Sequence, residues 1–284
     1  MKNQTRSVAL LLTGKPTVEG AGVRLLRVFG LQEVPRFDPF LLFDDFGSDN
    51  PDDYLSGFPW HPHRGIETVT YMFSGSVEHG DSLGNSGVIS AGDIQWMTAG
   101  SGIIHQEMPQ GVDDHLRGFQ LWVNLPARSK MVAPRYQDIK ADSIPEVSPH
   151  EGLRIKVIAG EIVGVRGPVQ DVIAEPEYLD ITLEPGADLE HPTTPGHTVF
   201  AYAVNGRGKI GPGGAYELER GQLALFTDGD SVIARAEDVA FRFLLVSGRP
   251  LGEPVAWSGP IVMNTQEELA VAFQEYRTDT FIKS

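Results

Sequence analysis

Short apolar stretches separated by glycine-rich turns set the pattern in the middle of this chain. Residues 67–73 are mostly β-branched or aromatic, and such residues favour extended strands. Turn signals surround this run at Gly75, in the polar cluster 81–87, at Gly92 and in the small-residue sequence 99–102. Strands this short, at this spacing, are typical of a small β-barrel or sandwich.

Further strands are predicted on either side of this region. Residues 8–12, 23–29 and 118–124 are apolar enough to form strands. Residues 30–60 are rich in proline, aspartate and glycine, which predicts loops near the mouth of a barrel. Residues 127–149 combine prolines and charges with weak periodicity, which is typical of a connection between domains.

One amphipathic helix is predicted near the carboxyl terminus. Thr265 and Glu268 have the spacing of a capping box, and apolar residues then recur at positions i, i+3, i+4 and i+7. Those residues are Leu269, Ala272, Phe273 and Tyr276. We expect the three large side chains of this set to be buried against a barrel. We also expect the segment 252–284 to fold back across the domain boundary.

The second half of the chain repeats the first at an offset of 130 positions, with losses. The sequence His-Pro-Thr at 191–193 repeats His-Pro-His at 61–63. The counterpart of residues 105–107 would fall near residues 234–236, which contain no metal-binding side chain. The duplication predicts two related domains, with a metal bound only in the first.

Composition excludes several classes of function. The net charge is −15, from 23 basic and 38 acidic residues, which argues against direct binding of nucleic acid or of an anionic membrane surface. The absence of cysteine excludes disulfides, thiolate ligands and thiol catalysis. The apolar run at 8–12 is too short for a signal-peptide core or a membrane span, so we expect a soluble, cytoplasmic protein.

Two pairs of residues have the spacing of metal ligands on strands. His61 and His63 point to one side of an extended strand, and so do His105 and Glu107. If the two strands face each other, four nitrogen and oxygen donors converge. This donor set suits iron, manganese, nickel, copper or zinc better than calcium or magnesium. Four ligands in an octahedral shell would leave two positions open, as a catalytic metal requires.

Other polar residues near these pairs have simpler interpretations. His79 lies in a sequence that predicts a solvated hairpin. Glu67 would face inward on a regular strand, and we assign it a supporting or structural role, while Arg64 has the opposite parity and should point away from the metal. His191 and His197 of the second repeat are expected to be hydrogen-bonded residues at the mouth of a barrel, and a weakly bound metal is the alternative.

Several long motifs carry a resemblance to a known family. They are residues 61–71 (HPHRGIETVTY), 79–84 (HGDSLG), 92–100 (GDIQWMTAG) and 105–109 (HQEMP), and, outside that stretch, 38–42 (DPFLL), 120–126 (QLWVNLP), 134–138 (PRYQD), 250–257 (PLGEPVAW) and 259–265 (GPIVMNT). In these motifs, and over nearly its whole length, the chain resembles the pirin family of bicupins. The metal positions of that family map onto His61, His63, His105 and Glu107.

The resemblance implies a fold and domain boundaries. The fold is all-β, with two cupin (double-stranded β-helix, or jelly-roll) barrels in tandem and a short carboxyl-terminal helix. The expected domains are residues 1–137, which bind the metal, a linker at 138–149, and residues 150–284, which bind none and end in a helical tail.

The resemblance also implies an activity, because pirins resemble metal-dependent dioxygenases of the quercetinase type. The expected cofactor is one divalent transition metal, with Fe(II) favoured over Mn, Ni, Cu or Zn. The expected substrates are O2 and a small aromatic or enolic molecule such as a flavonol, and Glu107 would act as both ligand and catalytic base. The alternative is a metal-dependent, redox-sensing binding protein that acts as a regulatory cofactor of a protein partner.

Overall fold

Strands account for most of the regular structure in the computed structural model, which describes residues 4–110 and 115–283. The strands are β1 Val8–Thr13, β2 Lys15–Glu19, β3 Val23–Phe29, β4 Phe40–Ser48, β5 Phe58–His63, β6 Ile66–Ser74, β7 Ser76–Asp81, β8 Ser86–Ser90, β9 Ile94–Thr98, β10 Ile103–Gln110, β11 Leu116–Asn124, β12 Arg135–Ile139, β13 Glu146–Val147, β14 Leu153–Ala159, β15 Glu161–Ile162, β16 Val165–Arg166, β17 Glu177–Leu183, β18 Asp188–Pro192, β19 Thr198–Ile210, β20 Tyr216–Glu219, β21 Gln222–Phe226, β22 Ser231–Arg235, β23 Phe241–Gly248, β24 Ala256–Ser258 and β25 Ile261–Met263. Short 3-10 helices lie at Leu31–Glu33, Pro51–Asp53, Ala127–Ser129, Ala141–Ser143 and Pro212–Gly214, and one α-helix, α1, at Gln266–Arg277. None of the described helices has the length and hydropathy needed to cross a membrane.

The chain divides into two compact units. We name residues 15–141 and 251–284 the N-barrel, and residues 1–14 and 142–250 the C-barrel; residues 1–3, 111–114 and 284 lie outside the described part. The chain passes from one unit to the other between Ala141 and Asp142, within the predicted linker. The two ends of the chain are grouped differently from the predicted domains, since the first strand belongs with the C-barrel and the helical tail with the N-barrel.

Two large antiparallel sheets form the body of the N-barrel, and the two-stranded sheet β24-β25 belongs to the same unit. One has the strand order β12-β9-β6-β11-β4-β3-β2, and the other has the order β5-β10-β7-β8. Alternating side chains of both sheets meet in a buried core, because each strand turns every second residue to the same face. Residues of this core are Val23, Leu25, Phe46, Tyr54, Met72, Val77, Ile89 and Leu116.

The C-barrel is built around a sheet with the order β1-β21-β19-β23-β17-β14-β13, to which β18, β20 and β22 add further pairs. Its core includes an apolar cluster with Leu179, Ile181, Val199, Phe243 and Leu245. The strand predicted at 8–12 is confirmed as β1, which pairs with β21 far along the chain. The predicted strands at 23–29, 67–73 and 118–124 are confirmed within β3, β6 and β11.

The prediction that residues 30–60 form loops was wrong. The nine-residue strand β4 runs through this segment and is buried on both faces over residues 40–46. A strand buried on both faces shows no polar alternation, and the proline- and aspartate-rich turns on either side of β4 hid it. This error matters because β4 lies in the wall of the cavity described below.

The predicted capping box is confirmed at the start of α1. The Thr265 hydroxyl accepts a hydrogen bond from the Glu268 amide, and the Glu268 carboxylate accepts one from the Thr265 amide. Leu269 is buried as expected and Phe273 is partly buried, but Tyr276 is 36% exposed and its expected burial was wrong. The Tyr276 ring packs edge-on against the buried Phe281, with the ring centroids 5.5 Å apart.

Candidate metal centre

Three histidines converge where β5 lies beside β10. The two strands are antiparallel, and His61 is the direct cross-strand partner of His105. The Nε2 atom of His61 lies 3.0 Å from that of His63 and 2.9 Å from that of His105. Among the described residues, this is the one group of three or more metal-binding side chains whose donor atoms lie within 4.8 Å of one another.

Hydrogen bonds on the outer side of the rings fix how two of the imidazoles are oriented. His61 Nδ1 donates to the carbonyl of Pro59 at 2.9 Å, and His63 Nδ1 donates to that of Pro260 at 3.2 Å. In a neutral imidazole, a proton on Nδ1 leaves a lone pair on Nε2. Lone pairs therefore point into the cluster.

A divalent transition-metal ion fits this donor set. Metal–nitrogen bonds of about 2.1 Å at right angles would separate neighbouring nitrogens by about 3.0 Å, which matches the distances from His61 Nε2 to the Nε2 atoms of His63 and His105. Burial lowers the pKa of His61, and burial together with the neighbouring histidines lowers the pKa of His63 and His105 well below the ordinary value. The rings are therefore neutral at neutral pH, as metal binding requires.

Glu107 lies beside the histidine cluster rather than within it. Its Oε2 is 4.0 Å from His105 Nε2, and its Oε1 accepts a hydrogen bond from the Thr70 hydroxyl at 3.2 Å. A bulge between His105 and Glu107 shifts the register of β10 against β5 and places Glu107 opposite Phe58. Burial raises the pKa of Glu107 to about 7, although the bond from Thr70 acts in the opposite direction.

A cavity of about 610 Å³ opens beside the cluster. Its lining includes His61, His63 and Glu107 together with apolar and aromatic side chains. The Trp122 ring stands edge-on to His63 at 5.1 Å, and the Trp257 ring lies 5.7 Å beyond Trp122. Aromatic surface therefore continues from the cluster along one wall of the cavity.

The expectation that His79 is solvated was wrong. It is buried, and its Nε2 lies 3.0 Å from the Gln95 side-chain nitrogen. The reason is its register: His79 on β7 is the cross-strand partner of Glu107 on β10 and faces the same interior. A signal was available, because His79 and Asp81 have the same i, i+2 spacing as the two recognised pairs.

Glu67 and Arg64 make structural contacts. Glu67 accepts hydrogen bonds from the Thr98 hydroxyl at 2.7 Å and the Trp96 indole at 3.1 Å. Arg64 is buried and donates to the carbonyls of Ser101 and Phe281, each at 2.7 Å, and it forms an ion pair with Glu275. These bonds join the loop after His63 to the helical tail of the N-barrel.

The position in the C-barrel that is equivalent to the histidine cluster of the N-barrel holds different residues. His191 pairs across the strands with Val232, so Val232 rather than residues 234–236 is the counterpart of His105. His191 Nε2 lies 2.8 Å from a Glu177 carboxylate oxygen. The buried Arg6 donates from Nε to the Thr193 hydroxyl at 2.7 Å, at the position where the first repeat has His63.

The fold and the site define a class of protein: two cupin barrels, one of which carries a buried three-histidine cluster suited to a divalent metal. Two family models match the chain, Pirin over residues 22–123 and Pirin C-terminal cupin domain over residues 178–282. The chain belongs to the pirin family.

Relatives and solved structures agree with this assignment. A pirin-like protein of Caulobacter vibrioides is 45% identical, over 97% of this chain and 99% of its own. The crystal structure of a quercetin 2,3-dioxygenase from Acinetobacter baumannii superposes with a TM-score of 0.90 at 32% identity, covering 98% of this chain and 99% of that one. A bacterial pirin of Escherichia coli, solved in complex with nickel(II), shares the fold with a TM-score of 0.64 at 23% identity, covering 85% and 99% of the two chains.

Proposed function

We propose that this protein is a metal-dependent dioxygenase that opens flavonol-like rings with O2. The observation that carries the proposal is the position of the histidine cluster in the wall of an open cavity beside Glu107. A cavity of about 610 Å³ falls within the range of small-molecule sites, which is about 300–1,000 Å³. The likeness to the quercetin 2,3-dioxygenase of Acinetobacter baumannii supports the choice of reaction and substrate class.

The proposed ligands are His61, His63, His105 and Glu107, and the proposed ion is Fe(II). Nickel is the second candidate, since the Escherichia coli pirin was solved with nickel(II). When bound, such an ion would supply open positions at which an enolate oxygen and O2 are held side by side.

Glu107 is the proposed catalytic base. Its buried carboxylate lies beside the histidine cluster and lines the cavity, where it can accept a proton from a substrate hydroxyl. Thr70 binds Oε1 of Glu107 and so orients the carboxylate, while the other oxygen faces the histidine side. The aromatic wall formed by Trp122 and Trp257 would hold a flat ring and exclude water from the reacting end.

The experiment is metal analysis of the purified protein, followed by O2 uptake with quercetin after loading with Fe(II) or Ni(II). His105→Ala should lose most of the bound metal, whereas His150→Ala, at an exposed position, should keep it. Glu107→Gln, loaded with excess metal, should lose about 10²–10⁴-fold in turnover, with the exposed Glu78→Gln on the neighbouring strand as control.

Two results would contradict the proposal. A metal-loaded wild type that takes up no O2 with any flavonol would exclude the dioxygenase activity and leave a binding role for the metal. Full turnover by Glu107→Gln would exclude Glu107 as the base while leaving the activity intact.

A further inference from the structure

A row of polar side chains crosses the large sheet of the N-barrel. Arg27 on β3 is the cross-strand partner of Asp44 on β4, Asp44 of Gln120 on β11, and Gln120 of Thr70 on β6. The Thr70 hydroxyl contacts both Gln120, at 3.1 Å, and Glu107, at 3.2 Å. We call Arg27, Asp44, Gln120 and Thr70 the polar row, and it ends beside the candidate metal centre.

The positions on either side of the row are apolar. Leu25 precedes Arg27 on the same face of β3, and Leu42 and Phe46 flank Asp44 on the same face of β4. All of these side chains line the cavity. Burial of an ion pair in an apolar wall is often no better for stability than apolar residues of similar volume. A pair in such a wall, facing a ligand cavity, therefore points to recognition of a ligand.

The ion pair between Arg27 and Asp44 leaves lone pairs on the Asp44 carboxylate, which lines the cavity, free to accept further hydrogen bonds. Arg27 donates to both oxygens of Asp44, from Nε at 2.9 Å and from Nη2 at 2.8 Å, and from Nη1 to Glu19 at 2.7 Å. Two carboxylates share one guanidinium, so negative charge is in excess at this end. Burial raises the pKa of Asp44 to about 6 despite the bonds from Arg27, so this carboxylate would gain from a further donor.

The distance along the row suits an aromatic ligand of two or three rings. Two strand spacings, about 10 Å, separate β4 from β6, whose Thr70 contacts Glu107. This span is comparable to the length of a flavonol skeleton. A ligand with one end at the histidine cluster would therefore bring its far ring to Asp44.

We propose that Asp44, held in place by Arg27, determines substrate specificity by accepting hydrogen bonds from hydroxyl groups on the ring farthest from the histidine cluster. This inference rests on the proposed function, in that it takes the cavity to be the substrate site. The expected substrates are therefore neutral aromatic molecules that carry hydroxyl groups on the ring farthest from the histidine cluster. A carboxylate at the same place is disfavoured by the excess negative charge.

The test measures the binding of ligands to the metal-loaded protein in the absence of O2, with tryptophan fluorescence as the readout. The probes are a matched pair, quercetin and galangin: galangin lacks the two hydroxyls on the pendant ring but keeps the chelating oxygens of the flavonol core. Wild type should bind quercetin about tenfold more tightly, the effect of one good hydrogen bond to a charged group. The double variant Arg27→Met/Asp44→Leu should bind both members equally.

Two further variants separate recognition from folding. Asp44→Asn keeps the size of the side chain and should bind biphenyl-4-carboxylate more tightly than wild type does, because only one of the two carboxylates that share Arg27 then keeps its charge. Arg24→Met/Asp53→Asn removes an ion pair between β3 and the 3-10 helix Pro51–Asp53; neither residue lines the cavity, so this variant should leave every ratio unchanged. A purely structural role for Asp44 predicts neither change.

The outcomes distinguish this inference from the proposed function. Equal binding of both members by wild type, or an unchanged ratio in both Asp44 variants, would overturn the inference whatever the O2 uptake. Discrimination that depends on Asp44, in a protein that consumes no O2, would sustain the inference and refute the dioxygenase.

Discussion

Replacement of Lys130 by methionine should weaken both the N-barrel and the metal centre. The Lys130 side chain is buried, and its ammonium donates to the carbonyls of Gly65 at 2.9 Å and Val262 at 3.0 Å, and to the Asn124 side chain at 2.8 Å. Burial lowers the pKa of Lys130 to about 8, so the group is still protonated at neutral pH. Methionine retains the length of the side chain but removes all three donors.

The position of these acceptors links Lys130 to the histidines. Gly65 forms the turn between β5 and β6, two residues after His63, with a φ of 76° that favours glycine. Val262 lies two residues after Pro260, whose carbonyl binds His63 Nδ1. Lys130 therefore joins the two segments that hold the His63 ring.

The magnitude follows from the three acceptors that lose the ammonium, of which the Gly65 carbonyl keeps a bond from the Leu125 amide at 3.3 Å. Each buried unsatisfied group costs about 1–3 kcal/mol, and relief of the buried charge offsets part of the total, so we expect a net loss of about 3 kcal/mol. For a unit of this size the unfolding temperature should fall by about 6–12 °C. Metal affinity should fall as well, because the His63 ring is less well held.

The assay is thermal unfolding followed by circular dichroism, with and without added metal. Lys15→Met makes the same chemical change at an exposed position and should alter stability by less than about 0.5 kcal/mol. If Lys130→Met unfolds at the same temperature as Lys15→Met, the ammonium does not join these segments and the reasoning is wrong.

Three further predictions concern other parts of the chain. Arg6→Met should destabilise the C-barrel by about 2–4 kcal/mol in urea unfolding, because four oxygens lose a buried donor, while Arg207→Met on the surface should change it little. In the metal-free protein the raised pKa of Glu107 means that the folded state binds more protons than the unfolded state between about pH 4.5 and 7. Stability should therefore fall as pH rises through this window, and Glu107→Gln should remove about 3 kcal/mol of that fall; identical pH profiles would contradict it. Leu269→Ala should cost about 2–4 kcal/mol, but Tyr276→Ala less than half as much, since Tyr276 is 36% exposed; equal losses in denaturant unfolding would exclude this difference.

Local features of the candidate site could be predicted from the sequence because they depend on short-range geometry. The i, i+2 spacing of His61 and His63 is enough to place both imidazoles on one side of a strand. The capping box at Thr265 likewise involves residues only three positions apart. Both features follow from the conformation of a few consecutive residues, whatever the rest of the fold.

The polar row could not be predicted, because it depends on which strands are neighbours. Arg27 and Gln120 are far apart in sequence and lie in one row, on either side of Asp44, only because β3, β4 and β11 lie side by side. The same limit explains the wrong interpretation of His79, whose burial follows from the pairing of β7 with β10. Sequence periodicity indicates which face of a strand a residue occupies, but not which strand lies next to it.

The contents of the two equivalent corners show how one strand pairing supports different chemistry. In the N-barrel the cross-strand partners are His61 and His105, and imidazole lone pairs converge toward space that a cation can fill. In the C-barrel the partner of His191 is Val232, which offers no lone pair. The oxygens near Thr193 are instead satisfied by the guanidinium of Arg6, a cation that the chain itself supplies just before β1. Because that guanidinium already satisfies these oxygens, they are poor candidates for binding a metal. Pairing of β1 with β21 therefore does more than extend a sheet. It brings this positive charge to the corner of the C-barrel that is equivalent to the histidine corner of the N-barrel.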